Sequence, residues 1–317
     1  MLHDKTVAVV IPAYNVEALV GGVVDTIPDF VDRIYVVDDR SADRTAEVAR
    51  VREAKAPRRV TVLRRGANGG VGAAIATGYE AALADGIDVT AVMAGDAQMD
   101  PADLHRVVGP VCCGEADYVK GNRLFRGESW KMIPKTRYIG NSFLSLLTKI
   151  ASGYWHVADS QTGYTAISKI ALERIGTATI YPRYGMPNDV LIKLNVHNFR
   201  VRDVSVRPVY NVGEKSGIKL RKVVLAIPWL LLKGFWWRLF WKYVIYDFHP
   251  LVFFYLLGLT LTPAGFLLGA YLLVLRVVEQ SHVTATSAMF AGFLGVSGLQ
   301  TLFFAMWFDM DYNKNLR

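Results

Sequence analysis

Asp96 and Gln98 stand two apart in the string Gly95-Asp96-Ala97-Gln98-Met99-Asp100-Pro101. On a loop, a carboxylate and a carboxamide at that spacing present hard oxygen ligands, which suit Mg2+ or Mn2+. A second acidic pair, Asp38-Asp39, ends the apolar run Ile34-Tyr35-Val36-Val37. Basic residues gather further on, with Lys120, Arg123 and Arg126 followed by Lys131, Lys135 and Arg137. Arginine is the side chain best shaped to hold a phosphate monoester, because its planar fork meets two oxygens at once. Other polar residues have plainer explanations. Asp100-Pro101 reads as a helix N-cap and first helical residue, and Asp189 in Asn188-Asp189-Val190 is as well explained by a helix start as by a catalytic base. Cys112 and Cys113 are the two cysteines. Neighbours in sequence make a poor disulfide, nothing near them has metal-ligand spacing, and a chain without staples fits a reducing cytoplasm.

Alternating elements must position these groups. Val7–Ile11, Ile34–Val37, Val60–Leu63 and Val89–Met93 are short β-branched runs that stop at Pro, Asp or Gly, as buried strands do. Helical patterns separate them over Val16–Ile27, Asp43–Ala54 and Gly72–Ala84. This alternation predicts an α/β fold, a mainly parallel sheet with helices on both faces. Ligands of such sheets lie beyond the carboxyl ends of the strands, where Pro12-Ala13-Tyr14-Asn15, Asp38-Asp39 and Asp96-Ala97-Gln98 fall. Gly70-Val71-Gly72 offers a G-x-G, but after the third strand and without the third glycine, so a dinucleotide fingerprint is not met.

The chain has 317 residues, is 52% hydrophobic and carries a formal charge of +8. The apolar residues crowd after Lys222. Pro250–Leu275 has no charged side chain, and Val283–Phe308 has none before Asp309. About twenty apolar residues span a bilayer core as a helix, so two antiparallel membrane spans joined by Arg276–His282 are expected. Lys222–Phe248 mixes Trp229, Trp236, Trp237 and Trp241 with Lys233, Arg238 and Lys242, a composition expected of helices lying among lipid headgroups. Three parts follow: a domain over residues 1–221, interfacial helices over 222–248 and a membrane domain over 249–317. Basic residues before Pro250, with Lys314 and Arg317 at the far end, place the first domain and the tail in the cytoplasm by the positive-inside tendency. Met1–Thr6 leads straight into a strand without a signal-peptide pattern. Beside such apolar segments, the basic balance points to an anionic membrane or phosphorylated substrates, and no nucleic-acid-binding motif appears.

Seven strings occur in one order: Val10–Asn15, Val37–Thr45, Asn68–Gly72, Gly95–Pro101, Gly121-Asn122-Arg123, Asp159–Tyr164 and Val212–Ser216. Together they resemble family 2 glycosyltransferases of the GT-A fold, in the branch of dolichol-phosphate mannose synthases and other polyprenyl-phosphate glycosyltransferases. The resemblance covers about the first 220 residues, and a C-terminal membrane region is common in that branch. It implies that Pro12, Ala13, Tyr14, Asn15, Glu17, Asp38, Asp39, Asn68 and Asp96 surround a nucleotide-sugar, with Tyr14 against the base and Asp39 hydrogen-bonded to base or ribose. Asp96 and Gln98 would hold the divalent metal together with the donor diphosphate. Arg123, Arg137 and Lys215 would meet the acceptor phosphate, making Asp96 and Arg123 the catalytic pair. Ile139–Ile150 is apolar enough to lie on the membrane and guide a lipid tail. Two departures stand out: Ala94 replaces the usual first acid of Asp-x-Asp-x-Gln, and Val16 replaces the usual Glu, with Glu17 next.

The reaction this implies is transfer of a hexose or N-acetylhexosamine from a UDP- or GDP-linked donor to a dolichyl or undecaprenyl phosphate at a cell or ER-type membrane. A monoester phosphate, with a second pKa of about 6, is already largely ionised near neutral pH. A single inverting in-line displacement therefore needs positioning and charge neutralisation more than a strong base. Two alternatives stay open: a nucleotide-sugar-binding membrane protein impaired by Ala94, and a polysaccharide synthase, although the Gln-x-x-Arg-Trp string of such synthases is missing. Self-association through the apolar spans is compatible with this layout.

Overall fold

Each β-branched run becomes a strand. β1 (Val7–Ala13), β2 (Arg33–Asp38), β3 (Val60–Arg64) and β4 (Val89–Val92) pair in parallel, and the sheet continues through β5 (Tyr118–Asn122), β6 (Thr165–Ser168) and β7 (Val201–Ser205). In this computed structural model the seven strands lie in the order β3-β2-β1-β4-β6-β5-β7. β6 runs antiparallel to both β4 and β5, whereas β5 and β7 pair in parallel. The structure describes the backbone of residues 1–124, 135–207, 209 and 220–317, and their side chains except at 135–139, 141 and 220–225.

The pleat sorts β1 onto two cores. Val7, Val9 and Ile11 face α1 (Val20–Asp25), α2 (Thr45–Lys55) and α4 (Leu104–Cys112). Ala8 and Val10 face α3 (Val71–Ala84), α6 (Lys169–Ile175) and α7 (Met186–Val196). Successive side chains of a strand point to opposite faces, so a run apolar at every position needs cover on both. The helix expected from Val16 begins only at Val20. The amides of Asn15, Val16 and Glu17 are instead bound by Ser41 Oγ, Thr45 Oγ1 and Asp43 Oδ2. Those bonds hold the segment as a loop.

The chain divides into two compact units, Met1–Trp236 with Asn315–Arg317, and Trp237–Lys314. α5 (Lys135–Ser152) belongs to the first, as do the residues of α8 (Leu220–Phe240) up to Trp236. Within that unit Ile227, Leu231 and Phe235 are buried, and a Cβ on Gly185 or Gly234 would collide with Leu230 or Ile192. In the second unit α9 (Leu251–Val277) and α10 (Ala285–Tyr312) pack antiparallel, with Gly265 so close to Gly295 that a Cβ would lie 2.7 Å from its Cα. Both are long and apolar enough to cross a membrane. Their outer faces leave Phe253, Leu267, Leu273, Phe293, Phe303 and Trp307 exposed, unlike the core helices of a soluble domain.

Arg238 and Lys242, expected to face headgroups, are turned inward. Arg238 is fully buried and forms a two-pronged pair with Asp309 at 2.8 and 3.0 Å. Lys242 Nζ donates to Asn313 Oδ1 at 2.7 Å. The two cations do share a face, as their spacing of four requires, but that face meets α10. Beside apolar helices a charge is stable when a partner satisfies it. Only the folded pairing reveals Asp309 and Asn313 in that role.

Candidate active site

Four loops leave the carboxyl ends of β1 to β4; side-chain hydrogen bonds join the first three, and a backbone bond joins the fourth to the end of β1. After β1, Asn15 adopts a left-handed φ of 52°. Its Oδ1 accepts from Ala42 N at 2.9 Å, and Glu17 Oε2 accepts from Arg44 N at 2.9 Å. After β2, Arg40 is left-handed as well, with φ 60°. Asp38 is buried beneath this turn, accepting from Ser41 N at 3.0 Å and facing Arg64 Nε at 3.2 Å. After β4, Ala97 takes φ 60° inside a turn closed by Gln98 N donating to Asp96 Oδ1 at 3.1 Å. Left-handed residues other than glycine are uncommon and cost energy, so three on adjacent loops mark backbone held in place by its surroundings.

Asp39 is the hub of the third loop. It is 3% exposed, and its oxygens accept from Arg65 Nη1 at 2.7 Å, Gly69 N at 3.0 Å and Gly70 N at 2.7 Å. Gly70 has φ +97°, and a Cβ there would stand 2.8 Å from the Pro182 carbonyl. Glycine is needed for both reasons. The close approach brings Tyr181–Gly185 over the start of α3, where Ala73 N donates to Pro182 O at 2.9 Å. Asp189 anchors that segment from the first turn of α7, accepting from Tyr181 N at 2.9 Å and Lys193 Nζ at 2.6 Å. It is neither the N-cap of α7, which is Gly185, nor an open base. Burial and the nearby charge of Asp96 both raise the Tyr184 phenol, which places this half-exposed ring within electrostatic reach of Asp96.

The Asp96 loop is pinned at both ends. Gly95 N donates to Pro12 O at 3.2 Å, and Tyr164 OH donates to Asp100 O at 2.9 Å. Asp100 caps the following turn through Ala102 N at 3.0 Å, with Pro101 next, as its sequence predicts. Among the described residues no three His, Cys, Asp or Glu side chains gather tightly enough to hold an ion alone. One carboxylate with Gln98 beside it suits an ion bound largely through substrate phosphates, which is how Mg2+ is commonly held.

Beyond β4 lies a partly buried set of charges. Arg123 grips Asp159 with Nε to Oδ2 at 2.8 Å and Nη2 to Oδ1 at 3.1 Å, and Asp159 has no exposed surface. Lys120 is equally buried and donates to Thr162 O at 3.0 Å. Lys120 therefore does not belong to an open basic surface with Arg123, as its sequence neighbours suggest. Every residue of β5 from Tyr118 to Asn122 is buried, so Lys120 is covered whichever face of the sheet it takes. Burial pulls its ammonium down to about 8, against the pull of Asp159 and Asp203. Burial also opposes the charge of Asp159, but Arg123 and Lys120 outweigh it and hold that carboxyl below its usual range. Asp203 shifts the other way, because burial prevails over its bonds from Ala158 and Asn122.

The structure thus brings Pro12, Ala13, Asn15, Glu17, Asp38, Asp39, Asp96 and Gln98 to one edge of the sheet. Tyr14 is 52% exposed there. Asn68 is exposed on the loop that Asp39 holds. Arg137 lies in α5 with its side chain outside the described residues, as are Arg126 and Lys215. Sequence reasoning missed Arg65, Tyr184 and Asp203. Arg65 follows a strand end as the acids do, which was a usable signal. Tyr184 and Asp203 are distant in sequence from what they face.

Known proteins resemble this chain in sequence and in fold. The chain is 30% identical over 221 residues to a UDP-N-acetylglucosamine–dolichyl-phosphate N-acetylglucosaminyltransferase of Methanococcus voltae, covering 66% of this chain and 88% of that protein. It is 31% identical to an undecaprenyl-phosphate mannosyltransferase of Micrococcus luteus, covering 70% and 93%. A solved structure of glucosyl-3-phosphoglycerate synthase from Mycobacterium tuberculosis, in complex with Mn2+, UDP and phosphoglyceric acid, superposes with a TM-score of 0.53 at 22% identity, covering 74% and 78%. The fold is GT-A. Residues 8–176, slightly more than half of the chain, match the family described as Glycosyl transferase family 2. The chain is a glycosyltransferase and belongs to glycosyltransferase family 2.

Proposed function

We propose that this enzyme transfers a hexose or N-acetylhexosamine from a UDP- or GDP-linked donor to a polyprenyl phosphate, with inversion and with a divalent metal. The observation that carries this reading is the union, in one chain, of a family 2 catalytic unit and two bare apolar helices of bilayer length. The acceptors named for the relatives from Methanococcus voltae and Micrococcus luteus support it. By the same reading the two helices anchor the enzyme in a membrane with its catalytic unit on the cytoplasmic side, where the basic residues before Pro250 favour it.

The donor lies along the edge built by the loops after β1 to β4. Tyr14 stacks on the base, and Asp39 shapes the pocket by holding Gly69 and Gly70. Asp96 and Gln98 would hold Mg2+ or Mn2+, which when bound supplies positive charge beside the leaving diphosphate. Arg123, fixed by Asp159, orients the acceptor phosphate, assisted by Arg137 and Lys215. A phosphate oxygen of the acceptor forms the new bond to the anomeric carbon, while the bond from that carbon to the donor diphosphate breaks. The electron pair leaves with the nucleoside diphosphate. Because the attacking oxygen is already ionised near neutral pH, no side chain has to remove a proton.

The test is a radiolabelled assay in which UDP-glucose, UDP-N-acetylglucosamine and GDP-mannose are each offered with polyprenyl phosphate, with Mg2+, Mn2+ or EDTA. Label moving into an acid-labile lipid fraction from one of these donors is expected. Nucleotide release without lipid labelling, or donor binding without turnover, would refute the proposal.

A further inference from the structure

We propose that Asp203 is a positioning residue for sugar transfer: its carboxylate ties together the two segments that carry Arg123 and Asp159, and so fixes the guanidinium that meets the acceptor phosphate. The inference rests on the acceptor reading of Arg123 given above. Its geometry is independent of that reading. Asp203 Oδ2 accepts from Asn122 Nδ2 at 2.7 Å and from Ala158 N at 2.8 Å. Asn122 directly precedes Arg123, and Ala158 directly precedes Asp159. One carboxylate oxygen thus binds the residue before each partner of the ion pair.

The ties continue outward from that oxygen. Asn122 Oδ1 accepts from Leu124 N at 2.8 Å, so both flanks of Arg123 depend on the Asn122 side chain. Arg123 N donates to Asp159 Oδ2 at 3.2 Å, which locks backbone and guanidinium onto the same carboxylate. β7 supplies Asp203 directly across from Lys120 in the parallel register of β5, and Lys120 closes the far side of the loop through Thr162 O. Lys120 and Arg123 therefore face Asp159 and Asp203, two groups of each sign, with Lys120 and Asp159 fully buried and Arg123 and Asp203 half-buried. Among the described residues the second oxygen of Asp203 is buried without a hydrogen-bond partner. A polar atom left in that state costs energy, so packing alone does not explain a carboxylate at this position. Holding a guanidinium within a few tenths of an ångström is the kind of task for which such a cost is tolerated.

Two variants of the full chain in detergent micelles separate this role from a merely structural one. Asp203→Asn keeps a carbonyl oxygen for Asn122 and Ala158, whereas Asp203→Ala removes both bonds. For Asp203→Ala the KM for polyprenyl phosphate should rise about tenfold or more, the loss expected when a charged hydrogen-bond acceptor is removed. Donor affinity, read by calorimetry with the nucleoside diphosphate, should stay within about twofold. Asp203→Asn should recover most of the loss. Should Asp203→Ala fail to accumulate as folded protein, Asn122→Ser, which removes the tie from β5 together with the bond from Leu124 N and leaves that from Ala158, takes its place in the same comparison. Arg123→Ala is measured alongside. If it raises the acceptor KM and the Asp203 and Asn122 variants do not, the positioning role is overturned and the acceptor reading stands. If Arg123→Ala leaves the acceptor KM unchanged, both are overturned. Equal losses of donor and acceptor binding in Asp203→Ala, in step with a lower melting temperature, would reduce Asp203 to a structural residue and overturn the proposal.

Discussion

Replacing Asp39 by alanine tests how the donor edge is built. The carboxylate binds Arg65 and the amides of Gly69 and Gly70, and 3% of the residue is exposed. Alanine leaves both amides without a partner, at about 1–3 kcal/mol each if water does not reach them. The Arg65 side chain is 25% exposed, so its lost pair is screened and adds at most about 1 kcal/mol. The loop is half-buried and regains some water, which brings the net cost to roughly 3 kcal/mol. For a unit of this size that lowers the melting temperature by about 6–12 °C. The same loss frees Gly70 from its left-handed turn and loosens the Asn68–Gly72 segment. Nucleoside diphosphate affinity should therefore fall together with stability, and Asp39→Asn, which keeps one acceptor oxygen, should lose roughly half as much of each. Calorimetry with UDP and GDP, paired with thermal unfolding, reads both quantities. Loss of nucleotide affinity at unchanged melting temperature would show that Asp39 acts only by touching the nucleotide. The reasoning from its internal bonds would then be wrong.

Asp96→Ala should nearly abolish transfer and EDTA should silence the wild type, since Asp96 is the carboxylate of its loop; full activity in EDTA would remove the metal from the scheme. Burial holds Lys120 near 8, below its ordinary 10.5, so between those values the folded protein binds fewer protons than the unfolded chain. The melting temperature of the wild type should accordingly rise relative to Lys120→Met as pH increases from 8 towards 10, with Asp159, Asp203, Arg123 and the Thr162 carbonyl as the groups facing that ammonium; a difference independent of pH would contradict this. In the second unit, Asp309→Ala removes the two-pronged partner of the buried Arg238 guanidinium and should cost about 3–5 kcal/mol, whereas the double change Arg238→Met with Asp309→Leu should recover part of it, since Tyr243 and Asn313 also donate to Asp309. Thermal unfolding in detergent checks both, and a single variant as stable as the wild type would mean that the pair carries no load.

Much of this protein is decided locally. Runs such as Val7–Ile11 and Val60–Leu63 are apolar at nearly every position, which forces strands covered on both faces. The acids that follow the runs Ile34–Val37 and Val89–Met93, Asp38-Asp39 and Asp96, then fall at the carboxyl edge by connectivity alone, whatever the later packing. Asp100-Pro101 acts over three residues and caps its turn as read. The two long uncharged segments have one stable solution, because a helix satisfies its own backbone and an apolar surface of that length needs lipid or protein around it. What the order of residues does not contain is which side chain meets which across long separations. Asp39 reads as an open ligand until Arg65, Gly69 and Gly70 are seen to occupy it. Lys120 and Arg123 look alike in sequence, yet β5, covered on both faces, buries one while Asp159, from a loop 36 residues away, claims the other beyond the strand's end. Arg238 and Lys242 fit a headgroup-facing helix until Asp309 and Asn313 arrive from 71 residues further on. A charge takes the partner that lowers its desolvation cost most, and only the tertiary structure decides which partners are within reach.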